Sequence, residues 1–218
     1  MKYTFVGDIH GKVDAVRAAL DMDGQIVFVG DFMDSFDQPA ANHRSCLQLV
    51  LDAIRAGKAQ AIYGNHELSY TMTRVHRSSG WSASGQAIML SHDAEIRELF
   101  RPHLLLADNV LVTHAGLTRQ IFEEHALTVA QLDEYLALWW HDRWSPVHGI
   151  GTCRGGNDPV GGTFWCDYNR EFEPIPGLTQ VFGHTASGSG GIIRCRENSY
   201  NVDCLDVAQK FLTLEIGS

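Results

Sequence analysis

Five short polar corners hold the residues of this chain that could do chemistry: Gly7-Asp8-Ile9-His10-Gly11, Gly30-Asp31-Phe32-Met33-Asp34, Gly64-Asn65-His66-Glu67, His114-Ala115-Gly116 and Gly183-His184. Each one alone reads as an ordinary turn or a satisfied polar residue. Together they offer carboxylate oxygens from Asp8 and Asp31, an amide oxygen from Asn65 and imidazole nitrogens from His10, His114 and His184. This mixture of hard and borderline donors suits Mn²⁺, Fe or Zn²⁺. Six protein ligands are too many for one catalytic ion that must keep an open position. Two ions about 3.5–4 Å apart, sharing a bridging carboxylate, would use them all.

Such corners need elements that bring them together. Short β-rich runs at residues 3–6, 25–29, 59–63, 110–113 and 179–182 each lead directly into one corner. Apolar spacing predicts helices over residues 12–20 (Val13, Val16, Ala19, Leu20), 45–56 (Leu47, Val50, Leu51, Ile54, stopping at Gly57) and 128–140 (Leu132, Tyr135, Leu136, Trp139). Residues 192–195, 200–204 and 210–216 read as closing strands. The alternation predicts an α/β fold, a mixed β-sandwich flanked by helices, in a single domain spanning 1–218. In α/β sheets ligands bind beyond the carboxyl ends of strands, so corners placed there can converge.

Composition narrows the function classes. Of 218 residues, 44% are hydrophobic and 20% charged, the balance of a folded globular chain. The net charge of −9 argues against binding a nucleic-acid duplex, which needs a basic patch to neutralise phosphates. No stretch reads as a signal peptide or a membrane span, so a cytoplasmic setting without membrane association is expected. The five cysteines (Cys46, Cys153, Cys166, Cys195, Cys204) are odd in number and irregularly spaced, and are expected as free thiols.

The ordered set G-D-x-H-G, G-D-x-x-D, G-N-H-E, H-A-G and G-H resembles the motifs of the calcineurin-like metallophosphoesterases. The G-N-H-E form and the size look like the bacterial and phage branch of the phosphoprotein phosphatases. The resemblance spans residues 3–184. It implies two divalent ions, Mn²⁺ foremost, with Asp8 and His10 on one, Asp31 bridging, and Asn65, His114 and His184 completing the second. It also implies that His66 is no ligand but the general acid, protonating the leaving oxygen while Asp34 orients its ring. A water acidified by the metals would attack phosphorus in line, with no covalent intermediate.

The chain departs from that branch in two places. The second corner continues Asp34-Ser35-Phe36, where the protein phosphatases usually carry a phosphate-clamping Arg, and Tyr63 stands before Gly64 where Arg is frequent. Arg143, in Trp140-His141-Asp142-Arg143-Trp144, is the candidate substitute for phosphate binding, with Arg44, Arg74 and Arg77 behind it. Trp139, Trp140 and Trp144 are read as packing residues, and the Gly-rich stretches 149–162 and 185–191 as substrate-side loops. His43, His76, His92, His103, His125 and His148, outside the corners, receive no role.

The leading expectation is a phosphomonoesterase acting on a phosphorylated protein, on serine, threonine or tyrosine, or on a small phosphoester. The alternatives are a hydrolase of dinucleoside polyphosphates such as diadenosine tetraphosphate, and a metal-binding protein without catalysis. Oligomeric state is not legible.

Overall fold

The computed structural model describes the whole chain except Phe36, residues 73–76, Ile192 and Ser218, and describes Asp108 and Ser189 without their side chains. Arg74, His76 and the first residue of the strand expected at 192–195 therefore lie outside the described residues.

The elements run β1 (Lys2–Val6), α1 (Val13–Leu20), β2 (Gln25–Phe28), α2 (Ala40–Arg55), β3 (Ala59–Ala61), α3 (Asn65–Thr71), α4 (Ala83–Ser91), α5 (Asp93–Leu99) and β4 (Leu104–Leu106). They continue with β5 (Val110–Val112), α6 (Arg119–Glu124), α7 (Leu132–His141), β6 (Thr179–Phe182), β7 (Arg194–Arg196), β8 (Ser199–Asn201) and β9 (Leu212–Glu215). One sheet has the order β3-β2-β1-β9 and the other β4-β5-β6-β8-β7. Both are mixed: β1, β2 and β3 pair in parallel with β9 antiparallel, while β5, β6 and β8 pair in parallel between antiparallel β4 and β7.

The period-two alternation of the strands explains the layers. Phe5, Val27, Val29, Val110, Val112 and Val181 meet in one cluster between the sheets. Their chain neighbours Val6, Ile26, Phe28 and Leu111 point the other way, into the cluster shared with the helices. Strands apolar on both faces are what sheets covered on both sides require. The mixed, layered α/β fold expected from the sequence is the one observed.

The differences are at the edges. Helix α2 begins at Ala40, five residues before the apolar spacing does, because Pro39 in extended backbone opens it and His43 is buried in its first turn. The strand predicted at 59–63 stops at Ala61, and Ile62 makes one bridge to Arg101. The helix predicted at 128–140 starts at Leu132, after a 3₁₀ turn over Val129–Gln131. Among the described residues, no helix is long and apolar enough to cross a membrane, and all five cysteines are free.

Candidate metal centre

Strands β1, β2, β3, β5 and β6 end on one side, and the corners beyond them zip together through backbone. The Ile9 and His10 N–H groups donate to the Asp31 carbonyl at 2.9 and 2.8 Å, and Gly183 N donates to the His114 carbonyl at 2.7 Å. Seven non-glycine residues among those described have left-handed backbone, and four are His10 (φ 44°), Asp31 (55°), Asp34 (61°) and His184 (68°). Asp and His tolerate this region better than most residues, but it still costs energy that the surrounding contacts must offset. At Gly64 a side chain is impossible, since a Cβ would lie 2.1 Å from Asp31 Oδ1.

Glu67 locks two of these corners. Its buried carboxylate accepts from the N–H groups of Asp31 (2.8 Å), Phe32 (2.9 Å), Met33 (3.1 Å) and Gly64 (3.0 Å). Burial, followed by the neighbouring Asp31, raises Glu67 to about 7, while His66 and the backbone donors pull against that rise. In the sequence Glu67 stands out only as the last residue of the G-N-H-E corner, which gives no sign of this structural duty.

Asp31 lies at the middle of the imidazoles. Its Oδ1 accepts from His66 N at 3.0 Å, and its Oδ2 is 3.3 Å from His114 Nε2, 3.8 Å from His10 Nε2 and 3.9 Å from His66 Nε2. Among the described residues, two groups of side chains are close enough to hold an ion, His10-Asp31-His66 and Asp31-His114-His184, and Asp31 belongs to both. Asn65 joins the second: its Oδ1 lies 2.8 Å from His114 Nε2 and 2.9 Å from His184 Nδ1, while its Nδ2 donates to Ser78 Oγ at 3.0 Å. The amide oxygen therefore faces the imidazoles. Ring tautomers follow from backbone acceptors: His10 Nδ1 donates to the carbonyls of Met33 (2.9 Å) and Asp34 (2.6 Å), and His114 Nδ1 to Val29 (2.8 Å). The Nε2 atom of each ring faces Asp31, as metal-binding histidines require.

Asp8 belongs to neither group; it is buried in the same cleft, with both carboxylate oxygens 3.1 Å from His184 N. Burial and the neighbouring Asp203 push it well above the ordinary carboxylate range. Burial likewise opposes charge on Asp31, but His114 and His66 outweigh it and hold Asp31 well below that range. In turn His114, whose burial favours the neutral ring, is pushed up to about 10 by Asp31. Buried His184 is held well below its ordinary value by desolvation and by His114. A cation in this cleft would stabilise Asp8 as a carboxylate and replace the proton on His114.

Beside the cluster, His66 Nδ1 is 3.0 Å from Asp34 Oδ2. Tyr70 donates its hydroxyl to the other oxygen of Asp34 and accepts from Ser82 N at 3.1 Å. Burial opposes a charged His66, yet Asp31 and Asp34 raise it above its ordinary value. His66 is thus an imidazole disposed to carry a proton, with Nε2 toward the cleft.

Asp8, His10, Asp31, Asn65, His66 and His184 all line one cleft of about 200 Å³. His114 is fully buried behind it, and Asp34 lines the adjoining hollow with His10 and His66. Arg143 is not brought there. It is exposed and lines a separate groove of about 740 Å³ with Trp144 and His148. Trp139 and Trp140 do pack, on His125 and Tyr63 respectively, but Trp144 is 92% exposed. Arg44 is exposed on α2, and Arg77 lies over the Trp81 ring.

The arginine that does line the cleft is Arg154, from the Gly-rich loop; it is not among the arginines expected from the sequence. Its Nη2 is 2.9 Å from Thr185 Oγ1 and 3.0 Å from Asp167 Oδ2, and its Nε is buried without a partner among the described residues. It is the only arginine between Gly149 and Gly162, the one signal that could have singled it out.

The sequence profile of the calcineurin-like phosphoesterases matches residues 1–188. The chain belongs to that family. Its members are metal-dependent phosphoric ester hydrolases, and the donor set assembled around Asp31 has the composition such chemistry uses. Two solved structures share the fold, both of a cold-active protein tyrosine phosphatase. One, of a single-residue mutant, gives a TM-score of 0.65 at 17% identity, covering 98% of this chain and 75% of that one. The other gives 0.64 at 17% identity, covering 98% and 73%. No curated protein sequence matches the chain.

Proposed function

We propose that the chain is a two-metal phosphomonoesterase that releases phosphate from phosphorylated proteins or small phosphate esters. The observation that carries this reading is Asp31, one carboxylate common to two groups of side chains close enough to hold an ion. The first of these also contains His66, which its contact with Asp34 assigns to proton transfer instead, leaving its place to Asp8 from the same cleft. Asp8, His10 and Asp31 would hold one ion, and Asp31, Asn65, His114 and His184 the other. When bound, the ions supply positive charge for the phosphoryl oxygens and acidify the attacking water. Mn²⁺ is the ion favoured, with Fe or Zn²⁺ as alternatives. The five free thiols fit a cytoplasmic setting.

The protein's own residues do the rest. His66 carries a proton on Nε2 to the leaving oxygen, and Asp34 accepts from Nδ1, fixing the ring and supporting its charged form. Tyr70 fixes Asp34 in turn. Arg154, projecting from a loop over the cleft, binds the substrate phosphate in place of the arginine absent after Asp34. Residues 189–215 supply β7, β8 and β9, which complete both sheets, so 1–218 is read as one domain.

A second reading, hydrolysis of a dinucleoside polyphosphate, is favoured by one feature. The groove of about 740 Å³ beside Trp144 would accommodate a second, aromatic half of a long substrate. The test is phosphate release from phosphoserine, phosphothreonine and phosphotyrosine peptides, from para-nitrophenyl phosphate and from diadenosine tetraphosphate. Turnover of the monoesters supports the first reading. Turnover of the dinucleotide alone supports the second, and inactivity on all with metal bound leaves a metal-binding protein without catalysis.

A further inference from the structure

Asp203 belongs to none of the five corners, yet the fold delivers it to the same cleft. Strands β6 and β8 pair in parallel with Phe182 opposite Asn201, so His184 and Asp203 stand at the same offset beyond the two strand ends. From the other side, Gly7 packs its backbone against this segment. A Cβ on Gly7 would lie 2.3 Å from the Val202 carbonyl oxygen and 3.1 Å from Asp203 Cα, so only glycine lets Asp8 come this close.

The backbone of Asp203 is pinned. Its N–H donates to Asn201 Oδ1 and its carbonyl accepts from Ser187 N, each at 2.9 Å. Its side chain is different: the residue is 5% exposed and lines the cleft with Asp8 and His184, but no described residue donates a hydrogen bond to its carboxylate. The other buried acids of the site all have donors. Asp8 accepts from His184 N, Asp31 from His66 N, Asp34 from Tyr70, and Glu67 from four backbone groups. Lys12, the nearby ammonium, is engaged at 2.6 Å by the more exposed Asp206. A buried carboxylate with no donor, set against a second buried carboxylate, is a costly arrangement unless a cation faces it.

We propose that Asp203 is a further anionic group of the metal centre, facing the ion held by Asp8 and His10 and raising the affinity for it. The proposal rests on the two-metal reading above. In the metal-free protein the buried Asp203 and Asp8 cannot both carry charge without cost, and a divalent ion between them removes that cost. The residue therefore weakens the empty protein and strengthens the loaded one, opposite signs that a purely structural residue would not give.

The experiment is calorimetric titration of metal-free protein with MnCl₂, together with the Tm of metal-free protein, for wild type, Asp203→Asn and Asp206→Asn. The expected result is a 10- to 100-fold weaker Mn²⁺ site in Asp203→Asn, with a metal-free Tm equal to or above wild type and Asp206→Asn close to wild type in affinity. Unchanged Mn²⁺ affinity in Asp203→Asn overturns the proposal while leaving the two-metal reading intact. A lowered metal-free Tm, or failure of both Asp203→Asn and Asp203→Ser to fold, makes the residue structural and also overturns it. Wild type that binds no Mn²⁺ overturns the two-metal reading itself.

Discussion

The imidazole of His66 and the carboxylate of Asp34 lie 3.0 Å apart, and Tyr70 holds the far oxygen of that carboxylate. The pair comes from different corners: Asp34 follows β2, and His66 stands in the first turn of α3. Asp34 sits in left-handed backbone (φ 61°), a conformation that the Tyr70 and His66 contacts help to hold.

If His66 delivers the proton, its loss must matter most when the leaving group is poor. His66→Asn is expected to lower kcat on a phosphoserine peptide by about 10²–10⁴-fold, and less on para-nitrophenyl phosphate, with metal content unchanged. Asp34→Asn should follow in the same direction. Equal losses on both substrates would take the general-acid role away from His66.

Arg154 and Arg143 make opposite predictions for substrate binding. Arg154 lines the cleft, whereas Arg143 is exposed in the neighbouring groove. A charge-assisted bond to phosphate contributes about 1.5–3 kcal/mol, so Arg154→Ala should lower kcat/KM by about tenfold or more. Arg143→Ala should leave it within about threefold for small monoesters. Steady-state kinetics of the two variants decide between them, and the reverse ranking would return the phosphate site to Arg143.

Removal of the charge from Glu67 should damage the scaffold before the chemistry. Glu67→Gln exchanges an acceptor of four backbone N–H groups for an amide that must point donors at some of them. The expected cost is about 3 kcal/mol or more, a fall of roughly 6–12 °C in Tm for a chain of this size. Thermal unfolding of metal-free protein measures it. A Tm within about 2 °C of wild type would mean that the Asp31 and Asn65 corners hold without this carboxylate.

The metal-free protein should also respond to pH through His114. Asp31 raises that ring to about 10 in the folded state against the burial that opposes it. A folded pKa above the unfolded one (about 6.5) means the stabilisation is complete below about pH 6.5 and is lost as pH rises toward 10. Metal needs the neutral ring, so Mn²⁺ affinity should climb over the same window. Tm of metal-free protein and titrations with MnCl₂ between pH 6.5 and 9 test both slopes. His114→Gln should flatten the first.

The convergence of the candidate site's corners is legible in the sequence because its signals are local. A β-rich run followed at once by Gly-Asp, Gly-Asn or a lone His places a polar group at a strand end, and Asp8, Asp31, Asn65, His114 and His184 all arrive that way. The strand faces were legible for the same reason, since Val27 and Phe28 must point to opposite layers. What escaped depends on how distant segments fold onto one another. Arg154 and Arg143 both lie between the same two corners, and only the path of the Gly-rich loop brings one of them over the cleft. Asp203 also follows a strand, but β8 becomes part of the site only by pairing with β6. Glu67 was visible as a residue, yet its four backbone partners come mostly from a corner some 35 residues earlier.

The most direct test is metal content measured alongside Mn²⁺-dependent hydrolysis of para-nitrophenyl phosphate, for wild type and Asp31→Asn. Asp31 belongs to both candidate ligand groups, so close to two ions per wild-type chain, metal-dependent turnover, and loss of both in the variant are expected. Wild type that binds no divalent ion, or Asp31→Asn that keeps two ions and full activity, would contradict it.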